Sequence, residues 1–283
     1  MNLRGWFSVP EVPKSVQGQG YRPGEAKAFI EGLQARGRLG FQLEALVSHS
    51  GLSRPAAAAQ LRRLRPAVGP LYPRSNYFLI VPPEHRAVGA PPVLWWIDDY
   101  FAWRQQPYYL ALLSAAAHYG SSHEAVQVTQ IMTLRSTPGI RIGRQRLAFF
   151  MKKSLTATPV VRAGGGWAPF TVSTAEATAL DLVRYADSIG GITRAAQAID
   201  GMRSHLSAAG FRLALRSPLE TSVLQRAGYL LEALGLWGFS QLVEKRLSER
   251  RLQTVPLSSD ATRNQPLHSR WATYGSLPPE SDW

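Results

Sequence analysis

Few of the 283 residues have types and spacings that could do chemistry. The clearest acid pair is Asp98–Asp99, with Glu176 further along the chain. Together they could hold a metal in a nuclease-like site, although two acids at the start of a helix are served equally by the helix dipole. The six histidines are His49, His85, His118, His123, His205 and His268. Only His118 and His123 are close, across a Gly-Ser-Ser turn, and they match no metal-ligand spacing. Asp181 and Arg184, at i and i+3, read as a helix-surface ion pair. The glycine run in "RAGGGW" lacks the Lys-Ser/Thr of a phosphate-binding loop. With no cysteine, disulfides, thiolate nucleophiles and thiolate zinc sites are excluded. The expectation is no catalytic residue, no metal and no cofactor.

The arginines are more informative. The net charge of +13 is that of a protein drawn to polyanions, of which nucleic acid is the commonest. Residues 1–92 carry 12 Lys/Arg against 5 Asp/Glu, the denser field of the chain. Within them lies "HSGLSRPAAAAQLRRL" (49–64). Gly51 supplies a tight turn, Leu52 a buried residue after it, and Ser53 a helix cap with Pro55 in the first turn. Ala57, Leu61 and Leu64 then fall on one face, which leaves the arginines largely off it. This is the pattern of a recognition helix, whose N-terminal residues reach base edges. Arg54, Gln60 and Arg63 are the expected base readers. Ser53, Arg62, Arg74 and Asn76 are the expected contacts around them, with Arg62 and Arg74 on phosphates.

The elements that must position these residues follow from periodicity. A helix from Pro23 carries Ala26, Phe29, Ile30 and Leu33 at helical spacing and ends at Gly37. A second spans Gln42 to Ser48. After the third come "LY" and "YFLIV", two strand-like runs around the turn "PRSN". Three helices and a hairpin give a winged helix-turn-helix over 23–83, preceded by a Pro/Gln-rich arm (1–22) and followed by a proline-rich linker (84–92). Residues 93–283 mix strands and helices: "VLWWI" as a strand, "DDYFAWRQQPYYLALLSAAAHYG" as mostly helix, "AVQVTQIMT" and "IRIGRQRLAFF" as strands, and "PVVRAGGGWAPFTVS" as two strands turning at Gly164–Gly166. The box Ser173-x-x-Glu176 starts a helix, and three more helices follow. Trp271 and Tyr274 predict that part of the tail docks back. The fold class is mixed α and β, a winged helix followed by an α/β (α+β) domain. No run is apolar enough to span a membrane, and no secretory signal opens the chain, so a soluble cytoplasmic protein is expected.

A second basic region stands out. From Ala125 to Ala175 there are seven Lys/Arg and no carboxylate. Arg141, Arg144, Arg146, Lys152 and Lys153 form a candidate partner surface there, for nucleic acid or an acidic protein. The alternative is a solvated edge strand protected by its charges.

The blocks "PYYLALLSAAAHYG" (107–120), "VQVTQIMT" (126–133), "FTVSTAEATALDLVRY" (170–185) with "IGGI", and "QRAGYLLEALG" (225–235) stand in one order behind the winged helix. In this the chain resembles the AbiEi-type antitoxins of type IV toxin–antitoxin systems, over residues 24–250, and its tail "NQPLHSRW" resembles the family's closing segment. The resemblance implies a repressor that binds inverted repeats in its own promoter. It also implies an antitoxin domain that counteracts a nucleotidyltransferase toxin in abortive phage infection. The matching blocks read as core, so no toxin-facing residue follows from them, and oligomeric state stays open. The alternatives are a metal-dependent nuclease targeted by its winged helix and a ligand-sensing transcription factor.

Overall fold

The computed structural model describes residues 24–121, 128–164 and 168–278. The expected arm (1–22), His123 and part of the turn expected at Gly164–Gly166 lie outside the described residues.

The N-terminal unit runs α1 (Glu25–Gln34), β1 (Gly40–Gln42), α2 (Leu43–Ser50), α3 (Arg54–Arg63), β2 (Val68–Pro70) and β3 (Tyr77–Ile80). Helix α1 buries Ala26, Phe29, Ile30 and Leu33, the stripe its spacing predicts. Helix α2 closes on Gly51, whose φ of 68° turns the chain toward α3. Ser53 then caps α3, its hydroxyl accepting from the Ala56 N–H at 3.4 Å. The three strands pair antiparallel in the order β1-β3-β2. Strand β1 was not expected, because three residues are too few to show an alternation. The helix order and the small antiparallel sheet are consistent with the winged helix-turn-helix expected over 23–83.

In the stretch 84–92, Glu84, Arg86, Ala87 and Gly89 are exposed, whereas its end is packed: Ala90 is fully buried, and the Trp96 indole N–H donates to the Pro91 carbonyl at 3.3 Å. Then follow α4 (Ile97–Arg104), β4 (Tyr108–Leu110), α5 (Leu112–His118), β5 (Thr129–Thr133), β6 (Ile140–Ile142), β7 (Gln145–Met151), β8 (Val160–Ala163) and β9 (Phe170–Ser173). Next come helices α6 (Ala175–Arg184), α7 (Ala186–Ile189), α8 (Ile192–Gly201), α9 (Ala208–Ala214), α10 (Thr221–Ala233) and α11 (Trp237–Leu247). Strands β10 (Val255–Pro256), β11 (Leu267–His268) and β12 (Thr273–Tyr274) make a small sheet in the tail.

The large sheet has the order β6-β7-β5-β4-β9-β8 and is the middle layer of the molecule. Its register separates two faces. Leu110 pairs with Ile131, and Ile131 with Phe149; these residues, with Val172, pack on the core that also holds Phe41, Leu46, Leu79 and Ile80 of the winged-helix unit. Tyr109 pairs with Met132, and Met132 with Phe150; these pack on the second core, under helices α5 to α11. One sheet therefore serves both sides.

Several expectations need correcting. "VLWWI" is a short 3-10 turn leading into α4, because Pro91–Pro92 before it and the acids after it favour a helix start over a strand. The expected long helix after it is broken by β4, where Tyr108–Leu110 are buried on both sides as a central strand requires. "IRIGRQRLAFF" is a hairpin rather than one strand, turning at Gly143–Arg144. The cap of α6 is Thr174, one residue later than expected, and Ser173 ends β9. Asp181 and Arg184 do not pair. Asp181 is fully buried and takes the Lys152 ammonium at 2.6 Å and the Tyr109 hydroxyl at 2.7 Å, while Arg184 turns outward to Glu220. The tail does dock. Trp271 is buried against Gly228 of α10, where an added Cβ would lie 2.1 Å from the indole ring.

Candidate nucleic-acid interface

Helix α3 turns Ala57, Gln60 and Leu61 inward. What remains outside is a stripe in which Arg54 and Arg62 stand two turns apart, with Ala58 between them. Pro55, Ala59 and Arg63 run alongside. Small residues between arginines let a helix backbone approach a groove closely, with cations at both ends for phosphates.

The wing meets the N-terminus of this helix. The Arg54 guanidinium donates to the Asn76 side-chain carbonyl at 2.6 Å and forms an ion pair with Glu44 of α2. Two residues expected separately as DNA contacts, Arg54 and Asn76, are thus joined. Arg74 stands exposed in the turn between β2 and β3, at a φ of 65°. Ser53, Arg62 and Arg63 are exposed as well.

Gln60 is a correction. It is 7% exposed, and its side-chain oxygen accepts from the Ala26 N–H at 3.0 Å. That N–H is one of the donors left without a helical partner in the first turn of α1, so Gln60 ties α3 to α1 and cannot face a base. Its position, i+3 from Ala57 and one before Leu61, lies on the buried side; a polar side chain in an arginine-rich helix masked that.

The second basic group divides too. Arg141, Arg144, Arg146 and Lys153 are exposed. Lys152 is buried against Asp181 and belongs to the core. Sequence reading missed this because Lys152 and Lys153 look alike until the chain leaving β7 turns one inward and the other outward.

The carboxylates of the nuclease alternative do not converge. Asp98 accepts from Arg162 at 2.6 and 2.9 Å and from the Tyr108 hydroxyl at 2.9 Å. Burial, reinforced by Asp98, pushes the Tyr108 phenol well above its usual pKa, so it remains a donor. Asp99 is bonded to Arg38 at 3.2 Å. Glu176 accepts from the N–H and hydroxyl of Ser207, both at 2.9 Å, on the helical side of the sheet. Among the described residues no group of three or more metal-ligating side chains forms. An open groove beside Trp237 and Leu267 spends its charges internally, Arg270 bonding Glu232 and Glu244. None of the described helices is long and apolar enough to cross a membrane.

Residues 109–233 match the family model of the AbiEi antitoxin C-terminal domain. Those 125 residues, of the 283 in the chain, are thus similar to an AbiEi-type antitoxin domain. No curated protein matches the chain. Among solved structures, it is similar to the crystal structure of the RV2827C protein from Mycobacterium tuberculosis, with a TM-score of 0.61 at 17% identity, covering 90% of this chain and 92% of that one. At that identity the likeness is one of fold, and it extends beyond residues 109–233 to the N-terminal unit. The antitoxin match starts inside β4 and ends with α10, so it takes in the central strands and the helices on one face. It stops short of the small tail sheet.

Proposed function

We propose that the protein is a DNA-binding antitoxin that represses its own toxin–antitoxin operon and counteracts a nucleotidyltransferase-type toxin. The antitoxin domain supports the second half of this reading. The first half is supported by one observation above all: the exposed Arg54 and Arg62 of α3, with the half-buried Ala58 between them and the exposed Arg74 in the β2–β3 turn beside them. Arg54 reads bases from the helix N-terminus, with Asn76 beside it. Arg63 is the second base reader, Arg62 and Arg74 hold phosphates, and Ser53 presents the helix start to the backbone. Two copies of the chain occupy the two halves of an inverted-repeat operator.

Anisotropy titrations with duplexes from the promoter region test the reading. Arg54→Ala costs about 1–3 kcal/mol on the operator and lowers the preference over scrambled DNA. Arg62→Ala weakens all duplexes alike and reduces the salt slope by about 1. An Arg54→Ala protein that held the operator as tightly as wild type would remove α3 from the interface. Rescue of growth on co-expression with the neighbouring toxin tests the antitoxin half.

A further inference from the structure

The β6–β7 hairpin carries charges that its own fold does not use. Arg141 and Arg146 are directly paired across it. Like charges placed opposite each other on one face destabilise a hairpin. Arg144 occupies the turn between them, exposed, with its N–H donating to the Val88 carbonyl at 2.9 Å. Gly143 makes that docking possible: a Cβ there would lie 2.1 Å from the same Val88 carbonyl oxygen. The hairpin tip is therefore pinned to the segment that leaves the wing, two residues beyond the exposed Arg86. Among the described residues none of Arg86, Arg141, Arg144 and Arg146 has an ion-pair partner.

The pairing also fixes direction. Ile140 and Leu147, the neighbouring pair, are buried in the core shared with the winged-helix unit. Arg141 and Arg146 alternate to the other face of the sheet, at its open edge. We infer that Arg141, Arg144 and Arg146 form a second, sequence-independent binding surface for nucleic-acid phosphates, on the face away from the winged helix.

A protein partner is the poorer match. Protein interfaces draw their affinity from buried apolar or aromatic anchors, and rim charges add little. Of the large exposed apolar side chains of the described residues, Met151 alone lies on these strands, and it alternates to the face opposite Arg141 and Arg146. Phosphates need no such anchor, since released counterions supply the free energy. The backbone edge that β6 offers is three residues long, too short for a partner strand to hold by itself. The surface extends the DNA-binding reading above and rests on it.

Titrations of the full chain over a salt series test it, using a promoter duplex and a scrambled duplex. The Arg141→Gln/Arg146→Gln protein binds both more weakly by the same factor, and its log K against log salt slope falls by about 2, at roughly 0.9 per phosphate. Arg54→Ala, in contrast, changes the ratio between the duplexes. The double variant also melts at or above the wild-type temperature, because a repulsive pair has gone. If it binds as wild type does, with an unchanged slope, the hairpin surface is refuted and the winged helix stands. Absence of salt-dependent binding by wild type refutes both. A lowered melting temperature would make the arginines structural and overturn the inference. So would polyglutamate that binds wild type as tightly as duplex of equal charge and loses that binding in the double variant, since the surface would then take an acidic protein.

Discussion

In the proposed interface Arg54 is already engaged before DNA arrives. Its partners Glu44 and Asn76 hold the guanidinium at the junction of α2, α3 and the wing. Both charges are about half exposed, at 52% and 49%, so the pair itself contributes little to stability and can be exchanged for a base edge. Gln60 works in the opposite way. Gln60→Leu removes the acceptor of the buried Ala26 N–H, a loss of about 1–3 kcal/mol for an orphaned donor. It also removes the side-chain nitrogen, which is buried without a partner, so the net cost falls toward the lower end of that range. Denaturant melts measure it. The operator-to-scrambled ratio of the folded protein stays at the wild-type value, and a changed ratio would return Gln60 to the interface. Residue type alone did not separate these two side chains. Helical phase did, and it was available in the sequence through Ala57, Leu61 and Leu64.

Helix α4 is the element that ties the winged-helix unit to the sheet. Asp99 faces Arg38 in the loop between α1 and β1, while Asp98 faces Arg162 on β8. Burial raises the Asp99 pKa from its ordinary value, and Arg38 only partly opposes this. A raised carboxylate pKa makes ionisation costly in the folded state. Asp99 therefore contributes stability below the unfolded-state value of about 3.9, and that contribution is lost as pH rises through the raised folded value. Melts across this acid window show wild type losing stability relative to Asp99→Asn as pH rises; parallel curves would mean that Asp99 does not titrate in the fold. The acid pair was legible as a helix start, but its partners were not, because they lie 61 and 64 residues away. Distance also explains the other misses. Amphipathic elements such as α1, α3 and α10 announce themselves locally by their buried stripes. Strands β1 and β4 have three residues each and exist because of what they pair with.

At the scale of the whole molecule, the central sheet makes the two halves depend on each other. The winged-helix residues Leu79 and Ile80 share a core with Ile131, Leu147 and Val172 of the sheet, so this core closes only when both are in place. The opposite face carries the helices, and there the Lys152–Asp181–Tyr109 cluster links the residue that follows β7 to α6 and β4. Both charges of the cluster are almost fully buried, at 2% and 0% exposure. Removing one partner strands the other in a medium that solvates it poorly, which costs about 3–5 kcal/mol. Lys152→Met is therefore expected to lower stability by that amount, whereas Lys152→Met/Asp181→Leu/Tyr109→Phe, which removes every polar member, costs much less. The informative comparison is between probes. Urea unfolding followed by helical circular dichroism reports mainly the helices α5 to α11, and unfolding followed by duplex binding reports the winged helix. A shared sheet requires Lys152→Met to shift both midpoints together, although the hydrogen bonds and ion pair of Lys152 go to Thr133, Leu155 and Asp181. Were the duplex-binding midpoint to stay at its wild-type value while the circular dichroism midpoint fell, the winged helix would be a separately folding domain.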